Sequence, residues 1–125
     1  MENCPTRRVL DRIADKWTVL VIVLLRDEPR RFSELHRAIE GISQKMLTQT
    51  LRSLERDGLV DRTVYAQVPP RVDYNLTDLG QTLGGLILEI CNWAETHIGE
   101  VTAAQLVYDE RHAANQSVEV FTSKR

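Results

Sequence analysis

The chain has 125 residues, 16 Lys and Arg against 18 Asp and Glu, and a formal net charge of −2. That length suits one domain able to bury a core; with no secretory leader, and no apolar run near the roughly 20 residues a bilayer takes, we expect a cytoplasmic protein with no membrane partner. The charge is poor for a nucleic-acid binder until it is divided: residues 1–76 carry 13 Lys and Arg against 11 Asp and Glu, and residues 77–125 carry 3 against 7.

At the N-terminus Cys4 precedes Pro5 at the expected start of a helix that carries Val9, Leu10 and Ile13. A helix N-terminus and the neighbouring Arg7 and Arg8 should both lower the thiol pKa, making Cys4 a candidate reactive thiol. The run WTVLVIVLL, Trp17 to Leu25, is nine residues and therefore core. Its periodicity leaves helix and strand open, and its β-branched content favours a strand.

From Arg31 to Leu76 each boundary has a local cause. Ser33 is placed to cap a helix running to about Glu40, which Gly41 stops. Ser43 is a second cap, with Ile42 and Leu47 as a hydrophobic staple across it. Gly58 ends this second helix by tolerating the left-handed conformation, and Leu59 can fold back on Leu54 as a Schellman cap. LVDRTVY and VDYNL then alternate as two antiparallel strands, with Val60 and Val64 on one face of the first and Val72, Tyr74 and Leu76 on one face of the second. Between them AQVPPR is too long for a tight turn, and its two prolines stiffen it, so it should protrude with Arg71 at its base.

From Thr77, an expected N-cap, a long helix should run to about Ile98, with Leu79, Leu83, Leu86, Ile87, Ile90, Cys91, Ala94 and Ile98 on a continuous apolar band. A small domain has little core left to cover that band. Gly84 and Gly85 each weaken a helix by up to about 1 kcal/mol, which hints at close approach by another backbone. We therefore expect a homodimer packed through this helix and the N-terminal one. Residues 1–100 form the expected domain, and residues 101–125 are a C-terminal extension of open role.

Two helices about a glycine turn, followed by a two-stranded wing, make a winged helix-turn-helix: mainly α with a small β-hairpin. In the second helix Leu47, Thr50, Leu51 and Leu54 cluster on one side with Met46 at its margin, while Lys45, Thr48, Gln49, Arg52 and Arg56 project from the other. Amide and guanidinium groups form the paired hydrogen bonds that read adenine and guanine edges in the major groove, and lysine meets phosphate or guanine. The expected partner is double-stranded DNA. The candidate contacts are Arg31, Ser43, Gln44, Lys45, Thr48, Gln49, Arg52 and Arg71. A winged helix serving as a protein-interaction module is the alternative from another class.

The ordered segments CP (Cys4, Pro5), Asp11, KWT (Lys16 to Thr18), RRFSEL (Arg30 to Leu35), GIS (Gly41 to Ser43), KMLTQ (Lys45 to Gln49), LERDGLV (Leu54 to Val60), PPRVDY (Pro69 to Tyr74) and LTDLG (Leu76 to Gly80) resemble the HxlR-type family of bacterial winged-helix regulators, relatives of the MarR group. The resemblance spans roughly residues 4–97. It implies a homodimeric DNA-binding regulator whose second helix lies in the major groove, and a helix for the apolar run Trp17 to Leu25. It also implies that Cys4, where several members sense oxidants, quinones or other electrophiles, is the candidate redox input. We expect a repressor of a palindromic operator, released by modification of Cys4 or, alternatively, by a non-covalent small-molecule inducer in the dimer cleft. No phosphate loop, nucleophile elbow or paired carboxylates suggest an enzyme. His36, His97 and His112 show no metal-ligand spacing with Cys4 and Cys91, and no cofactor is expected.

Overall fold

The computed structural model describes residues 4–123, and the surroundings of side chains up to residue 115 other than Arg12. The elements are α1 (Pro5–Ala14), α2 (Lys16–Leu25), β1 (Arg30–Arg31), α3 (Phe32–Ala38), α4 (Gln44–Arg56), β2 (Val60–Tyr65), β3 (Arg71–Leu76) and α5 (Asp78–Ser123). Two compact units divide between Glu89 and Ile90.

The apolar run is a helix. The Asp15 carboxylate accepts the Trp17 N–H at 3.0 Å and starts α2, whose Val21, Ile22 and Leu25 are buried. Each such burial contributes about 1.5–3 kcal/mol, more than the few tenths that a β-branched residue loses in a helix.

Helix α3 departs from the sequence expectation at both ends. Its cap residue is Arg31, not Ser33, and the Glu34 carboxylate reaches back to accept the Arg31 N–H at 3.4 Å. Arg31 is already extended because β1 pairs with β3, so the chain turns into the helix two residues before the serine. The helix ends at Ala38 rather than Glu40. Ile39 leaves it in an extended conformation and is buried, as is Ile42, with Gly41 at φ +86° between them.

Helix α4 is bounded as its residues dictate. Ser43 Oγ accepts the Met46 N–H at 3.1 Å. At the other end the Leu59 N–H donates to the Leu54 carbonyl and the Gly58 N–H to the Glu55 carbonyl, each at 3.0 Å, the two bonds of a Schellman motif about Gly58 at φ +77°. Leu47, Thr50, Leu51 and Leu54 are buried, as the helical wheel requires.

The sheet has three strands in the order β1-β3-β2, all antiparallel, one more than expected because two-residue β1 is too short to leave a periodic signal. Val64 is 59% exposed and not on a core face, since the hairpin runs beyond the core that holds Val60 and Leu76. The Ala66 to Pro70 loop is exposed throughout.

The Thr77 hydroxyl accepts the Gly80 N–H at 3.0 Å and donates to the Gly58 carbonyl at 2.6 Å, capping α5 and tying it to the end of α4. Within the chain, no backbone approaches the two glycines expected at a dimer contact. Gly84 faces the Arg26 and Ile22 side chains in ordinary contact, and nothing lies near Gly85. Gly80 is the close approach: a Cβ there would fall on the Leu59 carbonyl oxygen. Gly80→Ala should therefore destabilise the fold by about 1–3 kcal/mol, read as a lower urea midpoint at unchanged slope. Within the second unit α5 continues well past Ile98. Trp93, Ile98, Leu106 and Tyr108 are exposed, the Tyr108 phenol bonds His112 at 3.1 Å, and Cys91 is half-buried.

Candidate nucleic-acid interface

One side of α4 is sealed by four buried residues, which fixes what the other can present. Gln44, Lys45, Gln49 and Arg52 are exposed and Thr48 half-buried. Among the described residues none holds the Lys45, Gln49 or Arg52 head groups by a hydrogen bond or ion pair, so these are available to an outside partner. Ser43 Oγ accepts from the helix with one lone pair, leaving its O–H hydrogen to donate. The sequence reading set Lys45, Thr48, Gln49 and Arg52 opposite the buried row, and none of the four is buried.

The wing base is built differently from expectation. Opposite residues of an antiparallel pair share a face, and the register sets Thr63 and Arg31 against Asp73, and Tyr65 against Arg71. On that face Arg71 does not stand alone: its Nε and Nη2 donate to the two Asp73 carboxylate oxygens at 3.0 and 3.1 Å, and its guanidinium lies 5.4 Å from the Tyr65 ring centre. Arg31 Nε is 4.0 Å from the same carboxylate. The Arg71 hydrogen bonds hold the Asp73 carboxyl below its ordinary range, and Asp73 raises Arg71 in return. On the opposite face Arg62 pairs with Glu55 of α4 at 3.5 Å, tying the wing to the reading helix. Sequence reading missed Asp73; the i, i+2 spacing of Arg71 and Asp73 on a strand was the available signal.

Cys4 sits at the start of α1, half-buried, with its carbonyl accepting the Arg8 N–H at 3.2 Å. Its thiol is held below the ordinary value by the Arg7 N–H, then the Thr6 N–H, then the Thr6 hydroxyl. The helix-start half of the expectation holds; the acting groups are N–H groups and a hydroxyl rather than the Arg7 and Arg8 guanidiniums. A lowered pKa means thiolate at lower pH, so the pH profile of Cys4 alkylation by iodoacetamide, measured in Cys91→Ser, should have its midpoint below that of a free thiol near 8.5.

A two-helix unit whose second helix is sealed behind and polar in front, followed by a two-stranded wing that β1 extends into a three-stranded sheet, defines a winged helix-turn-helix regulator. The family model of the HxlR-like helix-turn-helix matches residues 12–102. The HTH-type transcriptional regulator YtfH of Escherichia coli K12 is 45% identical over 112 residues, covering 90% of this chain and 86% of its own. Among solved structures, the redox regulator HypR in its reduced form superposes with a TM-score of 0.75 at 40% identity, over 80% of this chain and 99% of HypR. The reduced form of the regulator YodB from Bacillus subtilis gives 0.67 at 36% identity, over 74% and 91%. The chain belongs to the HxlR-like helix-turn-helix family and is a DNA-binding transcriptional regulator. Cys4 lies before the residues that the family model matches.

Proposed function

We propose that the protein is a cytoplasmic homodimeric repressor that reads a palindromic operator with α4 and the wing and lets go when Cys4 is modified. Its role is binding, not catalysis. The observation that carries the reading is the α4 face, where the polar residues Gln44, Lys45, Gln49 and Arg52 are exposed directly behind a fully buried apolar row. Dimerisation is supported by apolar side chains left exposed on α1 and the first turns of α5: Val9, Leu10, Leu79 and Leu86. Two-fold symmetry then sets the reading helices about 34 Å apart, one DNA turn. The redox half rests on the lowered Cys4 thiol, and is supported by likeness to HypR, solved in oxidised and reduced forms, and to YodB, solved reduced and after diamide.

One observation favours non-covalent control. A groove of about 880 Å³ is lined by apolar Val9, Leu59, Leu79 and Leu83 together with charged Arg8 and Asp11, a mixture that suits a small amphipathic inducer. A mobility-shift assay on the DNA upstream of the protein's own gene tests the main reading. The protein should retard that DNA at nanomolar concentration and release it after diamide or quinone. Retardation no stronger than of random DNA contradicts operator binding; release by a small molecule with Cys4 unmodified by intact mass selects the groove.

A further inference from the structure

Asp73 is a carboxylate on a surface that is to meet phosphates, and by charge alone it should weaken DNA binding. Its placement argues otherwise. Its side chain is 10% exposed, whereas those of Arg71 and Arg31, both in contact with it, are 42% and 49% exposed. The anion is inside and the two cations are outside. Arg31 comes from the residue that opens α3 and Arg71 from the base of the wing, segments 40 positions apart that only the β1–β3 pairing brings together. The fork that grips the carboxylate uses two of the five Arg71 N–H donors and leaves three for an outside acceptor. A desolvated carboxylate gives little net stability even when paired, because the cost of taking charge out of water offsets the attraction. What such a group supplies is geometry: a flexible arginine fixed in one conformer loses less entropy when it meets a phosphate.

We propose that Asp73 is a positioning residue for DNA binding, holding Arg31 and Arg71 as one preset cationic pair for the phosphate backbone beside the groove that α4 enters. This rests on the reading of α4 and the wing as the DNA face. The two ideas separate in one set of variants of the full chain: Asp73→Asn, Asp73→Glu, Arg71→Ala, Arg31→Ala, the two alanines together, and Asp73→Asn combined with both alanines. Operator affinity is measured by fluorescence anisotropy across a salt series, with the thermal midpoint of each variant taken alongside.

Asp73→Asn is nearly isosteric and removes one negative charge. It should nevertheless weaken operator binding roughly tenfold and reduce the slope of log affinity against log salt by about 1, as losing one phosphate contact does. Asp73→Glu, which keeps the carboxylate, should recover part of the slope. In the background lacking both arginines, Asp73→Asn should change neither affinity nor slope. A partly unfolded variant lowers the active fraction without altering the salt slope, so the slope separates positioning from mere stabilisation. Binding by Asp73→Asn as tight as or tighter than wild type, while Arg71→Ala is weakened, overturns the proposal and leaves the DNA face intact. Unchanged affinity and slope in both arginine variants would instead show that this face is not on the DNA, and both readings fall.

Discussion

Replacing Leu86 by glutamate should leave each chain folded while lowering operator affinity roughly 100-fold. In the isolated chain this side chain is 58% exposed on α5, so the charge enters no core; the same holds for Ile90, at 52%. If two copies meet on this face, each new carboxylate is buried against apolar surface or against its symmetry mate, either of which costs more than a surface dimer can absorb. The DNA effect then comes from arithmetic. Linked half-sites engage with an effective concentration near millimolar, and unlinking them forfeits that gain without touching any DNA-contacting residue. Sedimentation should show a wild-type dimer at micromolar concentration and a monomeric Leu86→Glu variant with unchanged circular dichroism. A variant that stays dimeric and binds normally would place the two-fold elsewhere.

Replacing Cys4 by serine should abolish the response to diamide and quinone while leaving operator affinity in reducing buffer unchanged. Serine keeps the size and the hydrogen bonds to the first turn of α1 but has no thiolate, the species that attacks an electrophile or peroxide. The N–H groups of Thr6 and Arg7 that hold the thiol pKa down also fix where an adduct would stand, at the start of the helix carrying Val9 and Leu10. Bulk or a new covalent link there would change the angle between subunits and move two reading helices off successive major grooves. Cys91→Ser should respond as wild type does. Release of the Cys4→Ser variant by oxidant as readily as the wild type would make the N-terminal thiol a bystander and favour the groove near Arg8 as the control site.

The parts of this fold that were legible are those in which one residue suffices. Ser43, Gly58 and Thr77 each do at their helix ends what their side chains or backbone freedom dictate. The α4 row was legible because a 3.6-residue period over 13 residues has few solutions. What escaped depends on a partner distant in sequence. Ser33 loses its capping place because β1, invisible on its own, pairs with β3 and extends Arg31 first. The burial of Asp73 depends on Arg31 and Arg71 closing over it, and Arg31 lies 42 residues away in sequence. Gly80 escaped notice beside Gly84 and Gly85, because its need for glycine comes from Leu59, which returns from the Schellman turn against it. The length of α5 was missed for another reason: past Ile98 its apolar residues, Leu106 and Tyr108 among them, are exposed and pack into no core of this chain.

The central claim is that α4 reads base edges, and operator variants tested against Gln49→Ala and Arg52→Ala address it most directly. Both side chains are exposed, neither is engaged by another residue among those described, and both sit on a helix whose opposite row is buried, so truncation should leave folding intact. With each base pair of one half-site changed in turn, each alanine variant should lose about 1–3 kcal/mol of discrimination at one or two particular positions and keep it elsewhere. Arg71→Ala, acting on the backbone, should weaken all sequences alike. Specificity profiles for Gln49→Ala and Arg52→Ala that superimpose on the wild type at every position would contradict the account and assign base readout to another element.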